Sequence, residues 1–251
     1  MERLKEYFGR YNAISQYAEY DCGENRAIVA RLDARMDRLP ARFVAEAAAI
    51  GMSATVTALR DDYIMFLKLN YKASCSPTDR EAATEAELEL RRRQRKAIEL
   101  LRTYIPGFEK AFIARSSPTL CIRRGRCIKC DKDLTIDEIT SGAHFDDDIG
   151  VYGFHDESPR YLINNGGTYG FPYRMLLPVG LENVYATGMM LTSDFHAHMS
   201  TRNTVACMVQ SQAAGTAAAL CSKYGCSSRD LKYADLRKTL LDAGVFLGRV
   251  E

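Results

Sequence analysis

From Thr204 to Cys221 the chain reads TVACMVQSQAAGTAAALC, a helical stretch built almost wholly from small residues. An ordinary core helix carries Leu, Ile or Phe on one face, because each contributes about 1.5–3 kcal/mol on burial. Here Ala206, Cys207, Ala213, Ala214, Gly215, Ala217, Ala218 and Ala219 stand instead. Side chains this small let a backbone come close to something flat. The stretch therefore predicts a helix lying against a sheet or a large ligand. Upstream, Asn183–Thr187 (NVYAT) reads as a short apolar strand ending at Gly188. The loop that follows holds His196 and His198, two of the chain's four histidines.

A chain of 251 residues with 47% apolar composition has room for one large domain or two small ones with a real core. No run approaches the roughly eighteen apolar residues that a membrane span needs, and MERLKEYFGRYNAISQ has no apolar signal-peptide core, so the expected location is the cytoplasm. A net charge of +2 does not point to nucleic acid. The densest basic run, Arg91–Lys96, follows acidic residues spaced four positions earlier, which predicts ion pairs on a solvated helix face. Eight cysteines are scattered without a regular framework, so reduced thiols are expected. Cys127 and Cys130 form a single CIKC. A zinc site built on them needs two more ligands, and His196 and His198 are the candidates.

The first part of the chain reads as mostly helical. LPARFVAEAAAIGM and ATVTALRDDYIMFLKLNY carry apolar residues at helical spacing, and Thr84–Tyr104 predicts a long charged helix that Pro106 and Gly107 terminate. Its cap falls within SPTDREAATEAE. Beyond Ser116, TLCIRRGRCIKC has a strand-like pattern and DLTIDEITSG predicts a short helix. The Gly-, Asp-, Asn- and Pro-rich stretch from Ala143 to Pro178 signals loops and short strands. A last helix is expected over Ser228–Ala243.

Several of these segments, in order, resemble one family. NVYATG is similar to the strand-and-glycine motif of flavoproteins built on the glutathione-reductase type of FAD fold. AHMSTRNTVACMVQSQAAGTAAAL resembles the C-terminal AHGSIR segment and Gly/Ala-rich helix of FAD-dependent oxidoreductases of a fumarate-reductase-like kind. FPYRMLLPVGLENVYATG, CIRRGRCI and LLRTYIPGFEKAFI match further family segments, so the resemblance spans roughly residues 50–245. It implies an α/β (α+β) fold: a helical cap or substrate region over 1–115, followed over 116–251 by the C-terminal part of an FAD/NAD(P)-binding-type sheet and helix.

Carried over residue by residue, the resemblance implies FAD contacts at Gly188, Met189, Ser200, Thr201, Arg123, Arg126 and Tyr173. It implies catalytic roles for His198, Arg202 and Arg174, and substrate contacts at His155 and His196. A histidine titrates near neutrality and suits proton transfer, while an arginine fork fits a carboxylate. The first turn of the small-residue helix would face the flavin with unpaired N–H groups and the positive dipole end. Met189 stands where relatives carry Asp or Arg, and Met199 where they carry Gly.

No G-x-G-x-x-G occurs anywhere in the chain, so the loop that grips the ADP part of FAD is absent. The expectation is thus a subunit or part of a flavin-dependent oxidoreductase. It would share FAD with a complementary FAD-binding chain or domain, orient a small organic molecule for hydride transfer, and dock its partner through an exposed apolar face. A homo-oligomer is left open. Two alternatives stand beside this reading: a non-catalytic binding or assembly module that kept the fold and lost the cofactor, and a zinc-binding protein.

Overall fold

The computed structural model describes residues 28–32, 40–60, 63–64, 67–71, 76–105, 108–122, 125–156, 160–191 and 193–248. The chain divides into two compact units, Met1–Cys121 and Ile122–Glu251.

The first unit combines β1 (Ile28–Leu32), α1 (Ala41–Ala49), β2 (Met52–Arg60), β3 (Tyr63–Ile64), β4 (Leu67–Leu69) and α2 (Arg80–Tyr104). The strands form one antiparallel sheet in which β2 pairs with β1, β3 and β4, with Val29 opposite Thr57 and Met52 opposite Leu69. The described parts of ATVTALRDDYIMFLKLNY are therefore strand rather than helix where helix was expected, and the described residues of the unit combine helix with a sheet. A nearly continuous apolar run satisfies both periods, and the β-branched Thr55, Val56 and Thr57 favour the pleated alternative. Between α1 and β2 the chain turns at Gly51 (φ +66°), where a Cβ would stand 2.3 Å from the Asn70 carbonyl oxygen. Helix α2 starts where Asp79 accepts hydrogen bonds from the Glu81 and Ala82 amides. Its expected pairs are present, Arg91 with Glu87 at 2.7 Å and Arg93 with Glu89 at 2.8 Å. The helix ends at Tyr104; Pro106 and Gly107 lie outside the described residues. Phe43, Ala47, Leu100, Leu101, Ile105 and Phe108 form the core of this unit.

The second unit contains α3 (Ile136–Ser141), β5 (Asp148–Tyr152), β6 (Tyr169–Pro172), α4 (His198–Thr201), α5 (Thr204–Tyr224) and α6 (Tyr233–Asp242). Thr135 and Glu138 close a capping box at the start of α3, and Gly142 ends it in the left-handed region (φ +68°). β5 and β6 pair antiparallel. The small-residue helix α5 lies against β5. The approach is close at Gly150, where a Cβ would stand 2.2 Å from Cγ1 of Val209. Ala206, Gln210, Ala213, Ala214, Ala217, Leu220 and Cys221 are the buried face of α5. The opposite face is exposed at Val205 and Met208, and space is open beside Gly215. Ile139, Ile149, Tyr169, Phe171, Met175, Leu176 and Leu236 complete the core.

Two expected strands do not form among the described residues. Asn183 turns in the left-handed region (φ +57°), and residues 184–187 follow without a partner ladder among the described residues. Their Ala186 amide bonds to the Leu176 carbonyl, and they lead into a 3-10 turn at Gly188–Met190. TLCIRRGRCIKC contributes isolated bridges from Ile128 to Leu191 and from Cys130 to Pro178. The last helix starts at Tyr233, later than expected, because residues 228–230 form a turn. With its helices and small antiparallel sheets the protein is α+β among the described residues. None of those residues forms a helix long and apolar enough to cross a membrane.

Candidate functional site

The start of α5, the loop before it and the strand end at Gly153–Asp156 are tied into one polar cluster. Gly188 has φ +82°, which favours glycine, and its amide donates to Oε1 of Gln210 at 3.1 Å. Gln210 is fully buried, and its Nε2 donates to the Thr201 carbonyl at 2.9 Å. One side chain thus joins the loop on both sides to α5. Asp194 accepts from the His196 and Ala197 amides at 2.9 and 2.8 Å and from the Ile136 amide, anchoring the turn that launches α4.

The histidines are held by backbone carbonyls. His198 is buried, and its Nε2 lies 3.0 Å from the Met189 carbonyl oxygen, which fixes that nitrogen as the protonated donor. His155 is also buried, with Nε2 2.8 Å from the His196 carbonyl oxygen. Tyr161 packs between the rings of His155 and His196, at 4.8 and 5.4 Å. The Arg202 guanidinium, whose side chain is 5% exposed, pairs with Asp156 at 2.8 Å and contacts the Met199 sulfur. Ser200 donates to the Phe154 carbonyl and meets the Tyr169 hydroxyl at 2.7 Å. Burial pushes the Tyr169 phenol well above its ordinary range, so this hydroxyl stays protonated. Thr201 is buried, with its hydroxyl 3.2 Å from that of Ser193. Met189 stands exposed at the rim.

Gly188, Met189, His155, His196, His198, Ser200, Thr201 and Arg202 therefore come together. Tyr173 and Arg174 do not join them. The Tyr173 hydroxyl donates to the Ser228 carbonyl and meets Tyr185, whose hydroxyl contacts Cys221 near the far end of α5. At 1.5 Å per residue that is roughly 25 Å along the helix from its start. Burial pushes the Tyr173 phenol up to about 12. Arg174 is exposed, lies over the Phe145 ring and sits 3.6 Å from Asp147. Arg126 is exposed, and Arg123 lies outside the described residues. Cys127 is exposed, whereas Cys130 is buried, donates to the Ile128 carbonyl and has its thiol pushed up to about 11 by burial. Among the described residues no group of three or more metal-ligating side chains forms, so the zinc alternative has no ligand set there.

Sequence reasoning missed Gln210, Asp156 and Asp194. Gln210 was visible as a long polar residue at a buried position of an otherwise small-residue face. Asp156 stood next to His155, already singled out.

The family model for FAD dependent oxidoreductases matches residues 5–240. The chain belongs to the FAD dependent oxidoreductase family. No curated protein and no solved structure matches it. Family membership implies FAD, and the start of α5 fits one part of it. Asn203, the cap residue, spends its amide on the Met199 carbonyl and caps nothing, and no acid stands in the first turn. Thr204 and Val205 are exposed there, and space is open where a Cβ of Gly188 would stand. Amides that no described side chain caps, at the positive end of a 21-residue helix, suit the anionic edge of a flavin ring. The pyrophosphate has no glycine-rich cradle in this sequence.

Proposed function

We propose that this chain is the flavin-contacting and substrate-orienting part of an FAD dependent oxidoreductase, with the ADP portion of FAD held by a complementary chain or domain. The observation that carries this reading is the uncapped start of α5 beside Gly188, within a chain that belongs to the family yet has no dinucleotide fingerprint. FAD, when bound, supplies the hydride chemistry. The amides at Thr204 and Val205 stabilise negative charge on the flavin edge. Arg202 and Asp156 clamp the loop to the end of β5, and His198 sets the Met189 carbonyl, so both act as positioning residues. The half-buried His196, stacked on Tyr161, is the group placed to meet a small organic molecule. Met189, Met190, Val205 and Met208 form the exposed apolar rim that the complementary part covers. The reading assigns residues 1–115 to the cap and substrate region, 116–251 to the flavin-contacting segment, and the whole chain to the cytoplasm.

The burial of Arg202 on Asp156 and of His198 on a carbonyl favours a second reading, a binding module that kept the fold without the chemistry. Affinity isolation from the native host separates the two. The first reading expects a yellow complex with a second polypeptide, while the purified chain alone titrates FAD weakly or not at all. In that complex Arg202→Lys lowers turnover with the fold intact, because a point charge cannot reproduce the guanidinium fork. A colourless isolate refutes the flavin reading, and tight stoichiometric FAD on the chain alone refutes the need for a complement.

A further inference from the structure

Helix α5 ends in a Schellman-type turn. Gly225 adopts the left-handed conformation (φ +65°), its amide bonds to the Cys221 carbonyl, and the Cys226 amide bonds to the same carbonyl at 3.1 Å. This turn folds the residue after the glycine back onto the residue five positions earlier, and the two side chains usually make an apolar contact. Here both positions are cysteines. Both are free thiols, Cys221 buried in the core and Cys226 packed against that core at its edge. The Cys221 thiol contacts the Ser227 carbonyl at 3.5 Å and the Tyr185 hydroxyl at 3.4 Å, so it is fixed on the side of the turn where Cys226 lies.

We propose that Cys221 and Cys226 are a redox-modification site, a dithiol that closes to an intramolecular disulfide across the C-terminal turn of α5 by exchange with a small-molecule disulfide. The site lies at the opposite end of α5 from the flavin-contacting cluster and does not rest on the function proposed above. Cys226, the less buried thiol, loses its proton and attacks one sulfur of the small disulfide. That S–S bond breaks, a Cys226 mixed disulfide forms, and the first small thiolate leaves. The Cys221 thiolate then attacks the Cys226 sulfur and expels the second. Two protein thiols are oxidised, one small disulfide is reduced to two thiols, and the two protons pass to the leaving thiolates.

Burial and the neighbouring Cys221 both hold the Cys226 thiol above its ordinary range. Only the thiolate reacts, so below that range the rate of closure rises about tenfold for each unit of pH. Cys127 and Cys130 lack this arrangement, since Cys127 is exposed and Cys130 is buried on the Ile128 carbonyl.

The test uses the full chain and oxidised glutathione. After incubation at pH 7 and pH 8, remaining thiols are blocked with iodoacetamide and the protein is digested with trypsin. Cleavage at Lys223 separates the two cysteines, so a disulfide joins the peptide Asn203–Lys223 to the peptide Tyr224–Arg229. The expected result is that linked pair, formed about tenfold faster at pH 8 and separated by reductant. Because Cys207 shares the first peptide, Cys207→Ser must retain the link. Loss of the link in that variant overturns the proposal. So does a Cys226 that remains alkylated, or one that stops as a stable glutathione adduct in the wild-type chain.

Discussion

Substituting Gly150→Ala probes why the helix is made of small residues. The added Cβ would stand 2.2 Å from Cγ1 of Val209, whereas Cβ of the same valine lies at 3.6 Å and Cγ2 at 4.0 Å. Carbon atoms settle about 3.5–4.0 Å apart, so one methyl must move by more than an ångström. A valine in mid-helix has essentially one rotamer, so it does not swing aside without strain. Overpacking of this kind costs about 1–3 kcal/mol. A gain of about 0.4–1 kcal/mol from the stiffer unfolded chain offsets part of it. Gly150→Ala should therefore destabilise by up to about 2.6 kcal/mol. Val209 is half-buried, and Val209→Ala should cost about 1 kcal/mol by itself. In the double variant the clash is gone, so the two costs should fail to add by about 1–3 kcal/mol, in the stabilising direction. Urea unfolding followed by far-UV circular dichroism on the four proteins measures this. Additive changes within about 0.5 kcal/mol would refute close approach of α5 to β5 at this point.

Gln210→Leu should destabilise the second unit by about 2–4 kcal/mol, since it strips the partners from the Gly188 amide and the buried Thr201 carbonyl. Hydrogen exchange at Gly188 should accelerate, and unchanged exchange there would contradict the bridging role. Asp148 is buried beside β6, its carboxylate 2.8 Å from His144 and near that of Asp147, while its main-chain carbonyl accepts from the Tyr233 hydroxyl on α6. Burial pushes its carboxyl up from 3.8 to about 6, with the His144 hydrogen bond opposing the rise only in part. The folded chain then binds more protons than the unfolded chain between about pH 4 and 6. Stability should fall as pH rises through that window, by about 3 kcal/mol at most, and Asp148→Asn should flatten the profile. Parallel urea midpoints for the two proteins across the window would sink this account.

The sequence alone identified those features whose causes are local. The cap of α2 within SPTDREAATEAE, the short helix in DLTIDEITSG and the Glu–Arg spacing on α2 each act within a few residues, and each appears as expected. The ordered motifs also pointed to the family that the match over residues 5–240 shows. The small residues of α5 predicted close approach to a sheet or a large ligand, because a missing side chain is itself a packing instruction, and β5 is the sheet partner.

Partners distant in the chain were decided only by the tertiary structure. Met52–Arg60, Tyr63–Ile64 and Leu67–Leu69 became strands because β2 pairs with three others, and a nearly continuous apolar run fits either period. Residues 184–187 formed no strand because, among the described residues, they share only the Ala186–Leu176 hydrogen bond and no ladder, and a strand exists only in company. His198 and Arg202 were legible as residues of interest, but their burial on the Met189 carbonyl and on Asp156 was not. A motif specifies which side chains are present, whereas the folded chain determines which of their polar atoms remain for a ligand. The separation of the Tyr173 hydroxyl from the start of α5 has the same origin, since Tyr185 joins it to Cys221 near the other end of a 21-residue helix whose rigid rise, not distance in sequence, sets proximity.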